Sequence, residues 1–391
     1  MYIFDDHYHK LNQNLLRILG LWPYKKTKFE RFRATCFYMI LISNVIAQFA
    51  QFAIADCSIN VIIRILSDAL PAMVYVVKFN IFFFDTKKLK QMLEEIINNR
   101  RMLTDPQEIK IVEHYAHQGK IITFMSILLL IFTVFILLIM ELIPDILDFF
   151  RPLNESRAHY ISFLNEYHMN KGVQFYYFLL YSIISINIGV LSVLSISSML
   201  LVIALHCCAL FKICSYRIQH SVDKKVIACS NKRNLIVERL MRTVELHQNA
   251  QKLFKLLMTN LAIFYLIVVL IGMCSFVVNL YRLFHAITSM DNLMDFIIAM
   301  SYIIGHEIYL FGGTFIGQQF VNHADELFNA IYISLWYKTP VSVQKFFLFI
   351  MQISSKSVVP NIAGLRVIVM ETFTSVMSTG ISFMMSIFFL A

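Results

Sequence analysis

Seven stretches of this 391-residue chain are apolar for long enough to cross a lipid bilayer, and they leave few folds open. A crossing helix needs about 20 mostly apolar residues, because the hydrocarbon core is about 30 Å thick. The stretches run at about 34–54, 61–84, 120–143, 174–204, 257–281, 294–320 and 363–390. Inside lipid every backbone N–H and C=O must be satisfied within the protein, so runs of this length are helices. With only 11 Gly and 7 Pro, a barrel or a sheet-rich fold is disfavoured. An eighth apolar piece, "VQKFFLFIMQI" at 343–353, is too short to cross and reads as a buried or interfacial helix before the last span. The expected fold is an all-α membrane protein, with seven transmembrane helices forming a single domain over 1–391.

Charge is scarce and unevenly placed. Charged residues make up 15% of the chain, against about 25% in soluble domains. Seven Lys and Arg precede the first span, from Lys10 to Arg33, and seven lie between the second and third, from Lys87 to Lys120. Ten lie between the fourth and fifth, from Lys212 to Lys255. The alternate segments are poor. None falls in 55–60, Arg151, Arg157 and Lys171 fall in 144–173, and Arg282 falls in 282–293. Lys and Arg collect on cytosolic loops, so the N-terminus is expected in the cytosol and the C-terminus outside. The same bias explains the net charge of +9 without a nucleic-acid partner. The single N-x-S/T triplet, at Asn154, falls in a segment placed outside and is a glycosylation candidate.

Several functions are excluded by this reading. G-protein-coupled receptors also have seven spans, but with the N-terminus outside. They carry a D/E-R-Y triplet and an N-P-x-x-Y motif, both missing here. No H-E-x-x-H, no G-x-S-x-G and no intramembrane cluster of His and acid is found, so an enzyme is not expected, and neither is a cofactor. The seven Cys fall mostly in spans or cytosolic segments, which argues against a disulfide framework. "HCC" at His206–Cys208 has no second ligand pair at a useful spacing, so no metal is expected. No cleavable signal peptide is visible, and the first span is expected to direct insertion.

Two patterns remain to be explained. Segments 231–260 and 317–340 carry Leu and Phe at helical spacing outside the bilayer. Those faces must pack, either within one subunit or between subunits. In the last span Thr372, Ser375, Thr379, Ser382 and Ser386 are spaced 3, 4, 3, 4, which puts the hydroxyls on one helix face. Such a stripe serves close helix packing, or it lines a water-filled pore. Glu371, at the inner end, is either simply hydrated or placed in a vestibule where it favours cations.

Four segments, taken in order, resemble the insect odorant receptors. "NLLRILGLWPY" (14–24) looks like their N-terminal signature, and "LFNAIYISLWY" (327–337) like the segment after the sixth span. "SSKSVVPNIAGL" (354–365) is similar to the linker into the last span, and "ETFTSVMSTGISFMMSI" (371–387) to the closing helix. The resemblance implies a tetrameric, ligand-gated, non-selective cation channel in the plasma membrane of an olfactory sensory neuron dendrite. It implies a pore lined by the last helix, at Thr372, Ser375, Thr379, Ser382, Ser386 and Leu390, with the constriction near Ser386 and Leu390. It also implies a cytosolic anchor from about 205–256 and 321–356. The co-receptor and the related gustatory receptors end in a T-Y-x5-Q segment, where this chain has Ser382, Phe383 and Phe389. It is therefore similar to a tuning subunit partnered with the co-receptor. The alternatives are a gustatory-type homotetramer and a subunit that only binds ligand and biases a partner's gate.

By the same resemblance, the pocket for a small volatile apolar ligand lies among the second, third, fourth and sixth spans. Its expected walls are Leu70, Met73, Val74 and Val77, then Phe132, Phe135, Ile136 and Ile139. Tyr177, Tyr181 and Ser185, with Met300, Tyr302, Ile303 and His306, complete them. Plain bundle packing explains any one of these equally well. Tyr and His stand out because a buried hydroxyl or imidazole needs a partner.

Overall fold

The apolar runs fold as helices, and most of the helices outlast the runs. The structure, a computed structural model, describes residues 8–24, 27–53, 58–150, 173–222, 232–289, 293–354 and 369–390. Ten α-helices occur among them: α1 (Lys10–Ile18), α2 (Lys28–Ala50), α3 (Ile59–Phe83), α4 (Thr86–Arg101), α5 (Pro106–Phe150), α6 (Val173–Gln219), α7 (Lys232–Ser289), α8 (Leu293–Ile333), α9 (Val341–Ser354) and α10 (Met370–Leu390). No strand occurs among the described residues. Six helical segments there are long and apolar enough to cross a membrane, in α2, α3, α5, α6, α7 and α8. The 21-residue α10 falls within the last of the expected spans. This is a multi-pass, all-α membrane protein. Asn154 lies outside the described residues.

Local chemistry sets the helix ends. Thr27 and Glu30 form a reciprocal cap at α2, with the Glu30 N–H donating to Thr27 Oγ1 at 3.1 Å and the Thr27 N–H donating to Glu30 Oε2 at 2.8 Å. Ser58 Oγ accepts from the Val61 N–H at the start of α3. Pro106 occupies the first position of α5, where a missing N–H costs nothing, and Asp105 Oδ1 accepts from the Gln107 N–H at 2.8 Å. Gly20, at φ 73°, closes α1. A Cβ there would lie 2.3 Å from the Glu30 carbonyl oxygen, so only glycine fits between Leu19 and Leu21. Leu16, Leu19, Leu21 and Trp22 are buried, which explains the N-terminal signature as a packed plug.

α6 is the hub. It touches α1, α2, α3, α4, α5, α7 and α8, and from Leu205 to Leu210 every residue is buried. A helix buried on all sides is apolar or small at most positions, and here His206 is the one polar residue of that stretch. Ser192 and Ser195 satisfy their hydroxyls on the carbonyls of Gly189 and Leu191, both at 2.6 Å. Gly189 admits the Tyr75 ring of α3.

The overhangs answer the question posed by the amphipathic segments. α7, at 58 residues, is about 87 Å long at 1.5 Å per residue, far more than a bilayer is thick. Its first half packs with the ends of α6 and α8 and with α4 and α9, and the second core they form there runs on without a break into the core of α1 and α3. Phe254 stacks on Phe320 at 3.9 Å, and Phe211 meets Phe320 edge-on at 5.2 Å. Leu240, Leu246, Leu253, Leu327, Val343 and Phe347 are buried beside them. The apolar faces of 231–260 and 317–340 thus pack within one subunit. Tyr332, Ile333, Val341, Leu348 and Phe349 stay exposed on the outside of this bundle.

Charged pairs tie the bundle to the spans. Arg217 on α6 donates to both oxygens of Glu108 on α5, Nε to Oε1 at 2.6 Å and Nη2 to Oε2 at 2.7 Å. The third link, from Nη1 to the Arg242 carbonyl at 3.1 Å, adds α7. Tyr115 of α5 meets His323 of α8 at 2.7 Å, His323 meets Glu326 at 3.1 Å, and Glu326 pairs with Lys212 of α6.

Candidate functional site

α10 shows two unlike faces. Phe373, Val376, Met377 and Gly380 lie toward α7 and α8. The Phe373 ring meets Phe311 edge-on at 5.6 Å, and a Cβ on Gly380 would lie 2.6 Å from the Phe276 ring. Gly380 therefore sets how closely α10 approaches α7. Ser375, Ser382 and Ser386 are exposed, while Thr372 and Thr379 border the packed face. Ser382 Oγ donates to the Ser378 carbonyl at 2.9 Å and Ser386 Oγ to the Ser382 carbonyl at 3.0 Å. Among the described residues, these two hydroxyls bond only within α10. Ile381, Phe383 and Met385 share the exposed surface, and the Leu390 side chain lies outside the described residues.

The end of the bundle opposite the second core holds a buried ionic cluster. It joins α3, α7 and α8. Arg282 is 3% exposed and pairs with Asp295 at 2.6 Å. Asp295 is also held by Arg64 at 2.8 Å. Arg282 Nη1 donates to Ser67 Oγ at 2.8 Å and lies 3.7 Å from Asp68 Oδ1. The chain of contacts then descends toward the middle of the bundle. Ser67 Oγ donates to Asn279 Oδ1 at 2.7 Å, Asn279 Nδ2 donates to the Ser275 carbonyl at 2.8 Å, and His306 Nε2 meets Ser275 Oγ at 2.7 Å. Tyr75 and Tyr302 border the Asp68 carboxylate. Charges at membrane depth are tolerated when they pair, and here each pair also locks two helices. One turn further along, Lys78 lies over the Tyr309 ring at 4.7 Å from its centroid, linking α3 to α8 again.

The expected ligand walls are distributed unevenly. Leu70, Met73, Val74 and Val77 are half-buried on α3, and Met300, Tyr302, Ile303 and His306 half-buried on α8. Ser185 is fully buried on α6, and its hydroxyl and that of Ser182 have no hydrogen-bond partner among the described residues. Tyr181 turns toward α2, its Oη 2.6 Å from Ser43 Oγ. Phe132, Phe135, Ile139 and Tyr177 are exposed, and the Ile136 side chain lies outside the described residues. The structure thus places Tyr302 beside Asp68 of α3, turns Tyr181 to α2 and leaves the described side chains of α5 on the surface.

A shallow crevice of about 30 Å³, open on one side, lies between α7, α8 and α10. Val268, Met273 and Phe276 of α7 line it, with Leu310 of α8 and Val376 and Met377 of α10. His306 and Glu307 are its polar members. His306 therefore faces α7 and α10, while Tyr302 one turn away faces α3. Spacing alone had grouped the two together. The ionic cluster was also missed: Arg282 reads as a loop charge, although Asp68 inside a span was a legible signal.

The family model described as 7tm Odorant receptor matches residues 58–380 of the chain. Two solved structures of the insect olfactory receptor OR5 from Machilis hrabei are similar in fold. The one in complex with eugenol has a TM-score of 0.77 at 12% identity, covering 99% of this chain and 99% of that one. The other, described without a ligand, has a TM-score of 0.74 at 12% identity, covering 99% and 98%. No curated protein matches the sequence.

Proposed function

The chain belongs to the 7tm odorant receptor family, a family of receptors and not of enzymes, and from that premise we propose that it is the odorant-binding tuning subunit of a heterotetrameric, ligand-gated, non-selective cation channel. The observation that carries this reading is the two-faced α10. Its serines are left exposed by the subunit while Gly380 and Phe373 fasten its other face to α7 and α8. Close packing inside the subunit would have buried the hydroxyls. A pore wall would expose them to water and solvate passing ions. Glu371 is exposed at the start of α10, which suits a hydrated vestibule.

The other parts fit this role. The exposed Tyr332, Ile333, Leu348 and Phe349 give the second core an apolar outer surface suited to joining subunits, including a co-receptor. Lys and Arg are dense around that core, which supports a cytosolic position for it and for the N-terminus. The ligand site we infer lies among α3, α6 and α8, with the buried hydroxyls of Ser182 and Ser185 as polar handles in an apolar setting. One OR5 structure contains eugenol, and a small, largely apolar molecule is the class we infer here. Affinity would come mainly from apolar burial, at about 25 cal/mol per Å². Residence in the plasma membrane of a sensory dendrite follows from the same reading.

The test is voltage-clamp current in cells expressing this chain with and without an insect co-receptor, with G-protein signalling blocked. Rapid cation current to volatiles only with the co-receptor is the expected result. Current from the chain alone would favour a homotetramer of the gustatory type. Unaltered permeation in Ser382 and Ser386 variants would favour a subunit that only binds ligand.

A further inference from the structure

Between Arg17 and Arg33 the chain carries six Lys and Arg against a single acid, Glu30. We propose that this segment docks the polyphosphorylated headgroup of an inner-leaflet lipid, a phosphoinositide. The inner leaflet rests on the cytosolic placement of the N-terminus proposed above; the headgroup site does not. Three observations carry it.

The first is convergence. Gly20 turns the chain at the end of α1 close against Glu30 and Ala34 of α2. Arg33 Nη2 donates to the Arg17 carbonyl, and the Arg33 guanidinium lies 5.6 Å from the centroid of the Phe29 ring. The end of α1 and the first turns of α2 therefore lie side by side, with Arg17, Lys28 and Arg31 exposed on them. Lys25 and Lys26 belong to the same segment but lie outside the described residues. A Lys and Arg cluster immediately cytosolic of a span attracts anionic lipid.

The second is unspent charge. Several other cations of the cytosolic side find acids: Lys88 pairs with Asp85, Lys212 with Glu326, Arg217 with Glu108 and Lys252 with Glu95. Arg17, Lys28 and Arg31 make no ion pair with a described residue, and the Glu30 carboxylate is turned to the cap of α2. A bias of Lys and Arg toward the cytosol does not require them to gather away from acids. Lys28 and Arg31 are one turn apart, where like charges repel, and an anion with several phosphates relieves both.

The third is depth. The first span begins near residue 34, so Lys28 lies about 9 Å below it along the helix. Phe29 and Phe32, each 67% exposed, sit one turn apart beside the cations. At the membrane surface such rings bury themselves among headgroups and acyl chains. A soluble phosphate gives these rings nothing, whereas a lipid answers both the rings and the charges.

The experiment titrates the purified full chain with a dioctanoyl phosphatidylinositol bisphosphate and reads occupancy by native mass spectrometry. Saturable binding is expected. Arg17→Gln, Lys28→Gln and Arg31→Gln together should weaken it about tenfold or more. Arg17→Lys with Arg31→Lys keeps the charge and should retain binding. Lys110→Gln, Arg233→Gln and Lys345→Gln remove as many exposed charges elsewhere and should leave it unchanged. Equal binding in the first triple variant, or equal loss in the second, would overturn the site. Inositol trisphosphate competing as well as the lipid would overturn the lipid as its occupant. Binding by a chain whose N-terminal tag is reached by antibody on intact cells would sink the cytosolic placement and leave the headgroup site standing.

Discussion

Arg282 and Asp295 meet at 2.6 Å across the junction of α7 and α8, with only 3% and 8% of their side chains exposed. Arg64, from α3, grips the other carboxylate oxygen at 2.8 Å. The consecutive helices α7 and α8 and the distant α3 thus converge on one carboxylate. Removing one partner of a buried pair leaves an uncompensated charge and costs about 3–5 kcal/mol. Asp295→Asn and Arg282→Met should each strongly reduce surface expression and thermal stability in detergent. The double variant should be milder than the sum, because Arg64 is partly exposed and can hydrate. Strict additivity in a double-mutant cycle would show that the two do not interact.

Gly189 and Tyr75 make a steric test of how α3 seats on the hub. A Cβ at position 189 would lie 2.1 Å from the Tyr75 ring, closer than any real contact. Gly189→Ala should destabilise by about 1–3 kcal/mol, as overpacking does. Adding Tyr75→Ala should recover part of the loss. A stability for Gly189→Ala equal to wild type, read from thermal melting by fluorescence-detected gel filtration, would contradict this packing.

Acid should loosen the second core through His247. Burial lowers its pKa from 6.5 to about 4, and its ring packs edge-on against Phe211 at 5.4 Å. The unfolded chain therefore takes up this proton at higher pH than the folded one. The associated stability is fully present above pH 6.5, falls as pH drops toward 4, and is constant below that. The loss is at most about 3 kcal/mol. His247→Phe should flatten the dependence of melting temperature on pH between 7 and 4.5, relative to wild type. Parallel curves for the two proteins would remove His247 as a cause.

The spans were legible because hydropathy reports directly on what lipid tolerates. Helix ends were less so: α6, α7 and α8 continue where polar residues enter, since Leu240, Leu253 and Leu327 still have an apolar core to join. The last span's stripe was legible as a face, but whether it faced a neighbour or not depended on Gly380 and Phe276, about 100 residues apart. The ionic cluster was hidden for the same reason. Arg282 sits at the edge of an apolar run, where charge is ordinary, and its partners lie on α3 and at the start of α8. His306 and Tyr302 looked alike at helical spacing, yet one turn suffices to point them at different helices.

The serine stripe makes the most direct prediction about ion flow. Ser382 and Ser386 are exposed on α10, whereas Val376 and Met377 face α7 and α8. In a background of Cys274→Ser, which removes an exposed thiol on α7, cysteines can be placed on either face. A charged methanethiosulfonate reagent reacts with the thiolate, and so only where water reaches. Ser382→Cys and Ser386→Cys, expressed with a co-receptor, should lose at least half of the odorant-evoked current after exposure. Modification should be faster with odorant present, because an open gate admits the reagent. Val376→Cys and Met377→Cys should be insensitive, since their side chains face an apolar crevice. Insensitivity at the serine positions, with equal surface expression, would mean that the stripe packs against a neighbouring subunit and that ions pass elsewhere. A block at Val376 as strong as at Ser386 would mean that α10 is rotated in the assembled channel relative to the subunit described above.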